Sequence, residues 1–124
     1  MKELSLLWVA LAGSAGACAR FLADGAIRAR TGSRVPIGTV VINLSGSLLL
    51  GILTGLVVFH NASTTLTLVA GTGFCGGFTT FSTASFETVR LLQQGEIGAA
   101  GTNVAVTVVG TLAAAALGMA IASL

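Results

Sequence analysis

GTGFCGGFTTFSTASFE, residues Gly71 to Glu87, lies inside a long apolar chain yet does not read as an ordinary apolar helix. Gly71, Gly73, Gly76 and Gly77 crowd its first half, and Thr79, Thr80, Ser82, Thr83 and Ser85 follow, with Phe74, Phe78, Phe81 and Phe86 among them. Glycine weakens a helix interior and permits dihedrals that other residues avoid. Hydroxyls can return to their own helix backbone, but interleaved with rings they make a wall that is part polar and part greasy. In a bilayer, non-helical backbone persists only where protein buries it or where it lines a cavity. The stretch therefore predicts a broken membrane helix that builds a site for something small. A break leaves carbonyls unpaired before it and amides unpaired after it. Loose carbonyls over Gly76 to Thr79 suit a small hard cation such as sodium, and the amides and hydroxyls beyond suit an anion. The plainer alternative is that the glycines serve only close helix packing.

Of the 124 residues, 54% are hydrophobic and 8% charged, against roughly 25% charged in a soluble domain. The mean hydropathy of +0.97 agrees. Val35 to Phe59, Asn61 to Phe86 and Ile97 to Leu124 are uncharged runs of 25, 26 and 28 residues, each sufficient to span a bilayer. Leu4 to Ala19 adds 16 more and reaches spanning length if Arg20, with or without Asp24, lies within the helix or near its end. The expectation is a single all-α membrane domain over 1–124, with helices at roughly 4–27, 36–60, 65–92 and 97–124 and the third one broken. A signal peptide fits the form of the first run, but its removal would discard that run's polar end. The net charge of +2 offers no basic patch for nucleic acid. Cys18 and Cys75 fall in spans outside any CxxC pair and read as small buried hydrophobes.

Along span one, Gly13, Gly16, Arg20 and Asp24 share a face. Intramembrane arginine is costly unless it pairs or snorkels. Asp24 is four residues on and is a candidate partner, so Arg20 is either a helix-end anchor or part of a vestibule for an anion. In span two, Asn43, Ser47, Gly51 and Thr54 or Gly55 form a polar-to-small stripe, with Gly51 and Gly55 a weak GxxxG packing pair. The Asn43 amide either bonds a neighbouring helix or meets a ligand. His60 is the single histidine, which argues against a transition-metal site. Glu87 marks either a vestibule or the end of span three. In span four, Asn103, Thr107 and Thr111 repeat every four residues, either as part of a shared polar track or bonded to their own backbone. No paired carboxylate, nucleophile triad or P-loop is visible, so neither an enzyme nor an ATP-driven pump is expected. A narrow passive pore for a small anion, in an oligomer and most simply a dimer, fits better.

These residues resemble the Fluc/CrcB family of fluoride channels. The resemblance rests on GFCGGFTTFST at Gly73 to Thr83, on GTVVINLSGS around Asn43 and on GSAGACAR around Arg20, and it covers essentially the whole chain. It implies a passive fluoride channel of the inner (plasma) membrane that relieves fluoride toxicity. The implied assembly is a dual-topology antiparallel dimer of four-helix subunits with two pores. It further implies a structural, non-transported sodium ion (Na+) held by backbone carbonyls at the positions of Gly76 and Thr79. The implied fluoride pathway matches Asn43, Phe81, Ser82 and Thr83, with Thr107 and Thr111 on span four, and the vestibule matches Arg20 and Glu87.

One position departs from the family pattern: a second pore phenylalanine is commonly found three residues after the one matched by Phe81, and here Ala84 stands there. Charge adds a second feature. Arg28, Arg30, Arg34 and Arg90 flank the first and third connections, against Lys2 at the opposite ends, and the positive-inside rule then orients the chain one way. Both features favour a heterodimer with an oppositely oriented homologue, while family membership favours a homodimer. The remaining alternatives are a non-conducting or half-pore subunit and a small proton-coupled exporter, the latter needing a buried acid that span one supplies only as Asp24.

Overall fold

The computed structural model describes residues 2–31 and 36–124. Arg34, counted above among the cationic residues of the first connection, and Val35, the start of the second uncharged run, lie outside the described residues. Every described element is helical. They are α1 (Lys2–Arg30), α2 (Ile37–His60), α3 (Thr64–Thr67), a π-helical segment (Leu68–Cys75), α4 (Gly76–Phe78), α5 (Phe81–Gln93) and α6 (Ile97–Ala122). Among the described residues, three helices are long and apolar enough to cross a membrane: Glu3–Arg30, Ile37–His60 and Ile97–Ala122.

The third region is built differently, and its sequence says why. Ser63 caps its start, its hydroxyl accepting from the Leu66 N–H at 3.3 Å. The glycine-rich run that follows opens into π-helix, a wider winding that proteins use in short pieces. Helix then stops at Phe78. Thr79 (φ −83°, ψ 159°) and Thr80 (φ −148°, ψ 119°) are extended, and α5 begins at Phe81. Thr80 is the N-cap of α5, its Oγ1 accepting from the Thr83 N–H at 3.1 Å, the role threonine fills well at a helix start.

The helices meet through small residues. α2 lies along α6, and α1 lies against the π-helical segment and α4. A Cβ at Gly51 would strike the Ala115 backbone, and one at Gly118 would strike the Leu48 carbonyl. On the other side, Gly77 packs directly on the Gly13 backbone and Gly16 on the Phe74 carbonyl. Such contacts bring backbones close enough for dispersion to hold helices together where apolar burial offers little drive. His60 Nε2 adds a polar staple, 2.6 Å from the Ala122 carbonyl at the end of α6. Large side chains point outward instead, including Leu6, Phe21, Val58 and Leu112. Cys75 is buried as expected, whereas Cys18 is exposed on the outer face of α1, so the reading of both as buried hydrophobes holds for one of them.

Candidate functional site

The break at Thr79–Thr80 is held by one side chain. Asn43 Nδ2 donates to the Thr80 carbonyl at 3.1 Å, and the Thr80 N–H donates to Asn43 Oδ1 at 2.8 Å. Asn43 is 5% exposed and Thr80 8% exposed, so both freed backbone groups of Thr80 are satisfied in the interior. Buried peptide groups demand partners, and a primary amide is the one uncharged side chain that offers a donor and an acceptor side by side. The close approach of α2 is possible because Gly46, three residues on, makes room for the Thr79 side chain. The clamp has a consequence for the carbonyls before it. In a continuous helix the Thr80 N–H would serve Gly76 and the Thr83 N–H would serve Thr79; here they serve Asn43 and Thr80 Oγ1 instead.

Thr80 also lines two cavities. The larger, about 460 Å³, runs between α2, the third region and α6, with Asn43, Ser47, Gly76, Thr79, Phe81, Ala84, Thr107 and Thr111 in its walls. The smaller, about 220 Å³, is lined by Arg20, Phe21, Asp24, Thr39, Ile42, Thr80 and Thr83. The structure thus brings Asn43, Phe81, Thr107, Thr111, Gly76 and Thr79 to one cavity and Arg20 with Thr83 to the other. Ser82 lies outside both linings and is exposed, its hydroxyl 3.4 Å from Thr80 Oγ1. Phe81 lines the larger cavity, yet 88% of its surface is exposed in the single chain.

The span-four stripe divides. Thr111 Oγ1 donates to the Thr107 carbonyl at 2.6 Å, so its hydroxyl is returned to its own helix. Thr107 Oγ1 is buried and has no partner among the described residues. Asn103, 1% exposed, donates to Thr88 Oγ1 at 2.8 Å and ties α6 to α5, while its Oδ1 also lacks a partner among the described residues. Ala84 is buried against this seam at 9% exposure.

At the end of the smaller cavity the charged residues pair differently from the spacing-based expectation. Asp24 does not bond Arg20. Its Oδ2 accepts from Arg28 Nε at 2.8 Å, and the Arg28 guanidinium also reaches Glu87 Oε2 at 3.0 Å. Thr39 Oγ1 donates to the other Glu87 oxygen at 2.5 Å. Arg20 and Arg28 both stand four residues from Asp24, so spacing gives them equal claim. Glu87, arriving from α5, decides for Arg28. Glu87 is therefore not a free helix-end acid: its side chain is 12% exposed and bonded through both oxygens. Sequence reasoning missed Thr39 and Arg28 as members of this cluster, since only the fold brings Glu87 to them. Among the described residues no group of three His, Cys, Asp or Glu is arranged to hold a metal ion.

The model of the family described as "CrcB-like protein, Camphor Resistance (CrcB)" matches residues 7–119. Over 88 residues the chain is 57% identical to the fluoride-specific ion channel FluC 2 of Cutibacterium acnes, a match covering 70% of this chain and 72% of that protein. It is 46% identical over 116 residues to FluC 2 of Mycolicibacterium paratuberculosis, covering 94% and 92% of the two chains. With FluC of Syntrophotalea carbinolica the identity is 42% over 123 residues, covering 96% and 98%.

Proposed function

Because this chain belongs to the CrcB-like family, we propose that it is a passive, fluoride-selective channel that lets fluoride leave the cytoplasm across the plasma membrane. The observation that carries the reading is the clamped break, a strand-like step between two cavities, held open by Asn43 in the part of the chain with the family's motif. Fluoride gives up its hydration only where donors replace it. The unpartnered Thr107 hydroxyl, the Ser82 hydroxyl and the positive N-terminal end of α5 are such donors. The edge of the Phe81 ring carries partial positive charge and contributes the same sign of attraction. Asn43 serves the pathway chiefly by shaping it, since its amide is engaged with Thr80.

The third region crosses the membrane in this reading as a broken helix, which makes four spans. Two subunits of this fold pair in antiparallel fashion. A sodium ion fits the donors present. The Gly76 and Thr79 carbonyls have given up their usual helical partners to the Asn43 clamp and the Thr80 cap, and carbonyl oxygen is the ligand that a hard monovalent cation prefers. A bound ion would supply fixed positive charge at these carbonyls and would not itself be transported. The chain's own part is to present the two carbonyls. Ala84 and the four arginines flanking the first and third connections favour pairing with an oppositely oriented homologue over pairing with a second copy.

The test is fluoride efflux from liposomes containing the purified chain, alone and with a homologue of opposite charge bias, with a potassium ionophore to relieve charge build-up. Rapid fluoride and no chloride release is expected. Failure of both preparations to release fluoride refutes the channel. Release by the chain alone refutes the need for a partner.

A further inference from the structure

Arg28 stands outside the pathway residues considered so far, yet it joins the two acids at the mouth of the smaller cavity. Its Nε bonds Asp24 and its terminal nitrogen bonds Glu87. Half of the arginine side chain is exposed, and an isolated surface pair of this kind would count for little. Here, however, the Glu87 side chain is only 12% exposed and its remaining oxygen is taken by Thr39, so the guanidinium neutralises an acid largely withdrawn from water. Asp24 reaches this position because Gly38 lacks a Cβ: one there would collide with Asp24 Oδ1. Asp24 also lines the cavity, with Arg20 one turn before it and without an ion pair to Arg20 among the described residues.

The formal charges of this mouth are therefore Arg20 and Arg28 positive against Asp24 and Glu87 negative, which sum to zero. We propose that Arg28 is a positioning residue that sets the charge of the fluoride vestibule. By bonding one oxygen of each carboxylate, Arg28 keeps the mouth at a net charge of zero and leaves Arg20 unpaired among the described residues, in the cavity wall where it faces an incoming anion. The inference rests on the channel reading. Without Arg28 the same cavity carries a net charge of −1 and repels the anion it should admit, an effect that salt weakens because the mouth is open to solvent.

Efflux of fluoride from liposomes tests this with Arg28→Gln, Arg28→Lys, Asp24→Asn and the double variant Asp24→Asn/Arg28→Gln, in the channel preparation that conducts. One added net negative charge at the mouth should slow efflux by about fivefold at low ionic strength, shrinking toward parity in high salt. Arg28→Lys should stay within about twofold of the unsubstituted channel, and the double variant, neutral again, should recover to a similar level. An ion pair that merely braces the helices predicts the opposite: Arg28→Gln and the double variant equally slow, at every salt concentration. That result overturns the proposal, as does undiminished flux in Arg28→Gln. If Arg28→Gln does not fold, Asp24→Asn decides, since it leaves the mouth at +1. Flux at or above the unsubstituted level supports the proposal and slower flux at low salt refutes it. A channel that conducts no fluoride before any substitution refutes the function itself and this inference with it, whereas normal flux with charge-insensitive variants refutes the inference alone.

Discussion

Replacing Asn43 by alanine removes both hydrogen bonds that hold the Thr80 peptide, 2.8 and 3.1 Å long, and strands one N–H and one C=O in the interior. Each stranded buried group costs about 1–3 kcal/mol. Thr80 borders both cavities, so water can reach the vacated positions and the lower half of that range applies. The two groups together then cost about 2–4 kcal/mol, a factor of roughly 30 to 800 in the equilibrium between the clamped and the loosened break. Amide hydrogen exchange at Thr80 in detergent or a lipid disc reads this directly, and its protection should fall by that factor while amides in the middle of α2 and α6 keep theirs. Fluoride efflux should fall in parallel. Asn43→Asp separates the two bonds, because an ionised carboxylate still accepts from the Thr80 N–H but cannot donate to its carbonyl. Unchanged Thr80 protection in Asn43→Ala would refute the clamp and leave the asparagine as a direct ligand of the anion.

Gly51→Ala places a methyl group against the Ala115 backbone and should cost about 1–3 kcal/mol of overpacking, seen as earlier thermal unfolding in detergent; an unaltered midpoint would show that α2 and α6 are not so close. Gly76→Ala meets open space in the single chain, so the subunit should fold normally, while loss of conduction or of dimerisation would mean that a partner copy or its bound ion fills that space. Thorough sodium depletion should slow fluoride efflux with lithium or choline in its place, and undiminished flux would argue against a structural ion at the Gly76 and Thr79 carbonyls. Thr107→Val removes the buried hydroxyl that has no partner among the described residues at little cost to folding, since no bond is lost, yet should reduce fluoride flux severalfold by removing a donor worth about 1 kcal/mol; equal flux would take Thr107 off the pathway.

Much of the candidate site was legible because it is local. The glycine and threonine density around Gly76 to Thr80 marked where helix would be interrupted, and threonine before a helix start is a capping signal that Thr80 fulfils. Thr111 shows the limit of such reading: a threonine at regular helical spacing looks the same whether its hydroxyl faces a pore or returns to the preceding turn, and here it returns. Asn103 belonged to a recognisable stripe, but its bond to Thr88 depended on how α5 comes back along α6.

Read as a string, the chain already shows long uncharged segments suited to helices in an apolar solvent, with an interruption near the glycine–threonine step. Periodicity, hydropathy and capping act over a few residues, so they survive in a one-dimensional string. What the freed groups do follows from how the helices pack together. That packing assigned the Asn43 amide to the peptide of Thr80, 37 residues away, and Asp24 to Arg28 rather than Arg20 through Glu87, 59 residues from Arg28. Both outcomes are competitions between partners of nearly equal local merit. Each is settled by whichever polar group a neighbouring helix brings within bonding distance, in the buried interior for Asn43 and at the solvent-open mouth for Arg28.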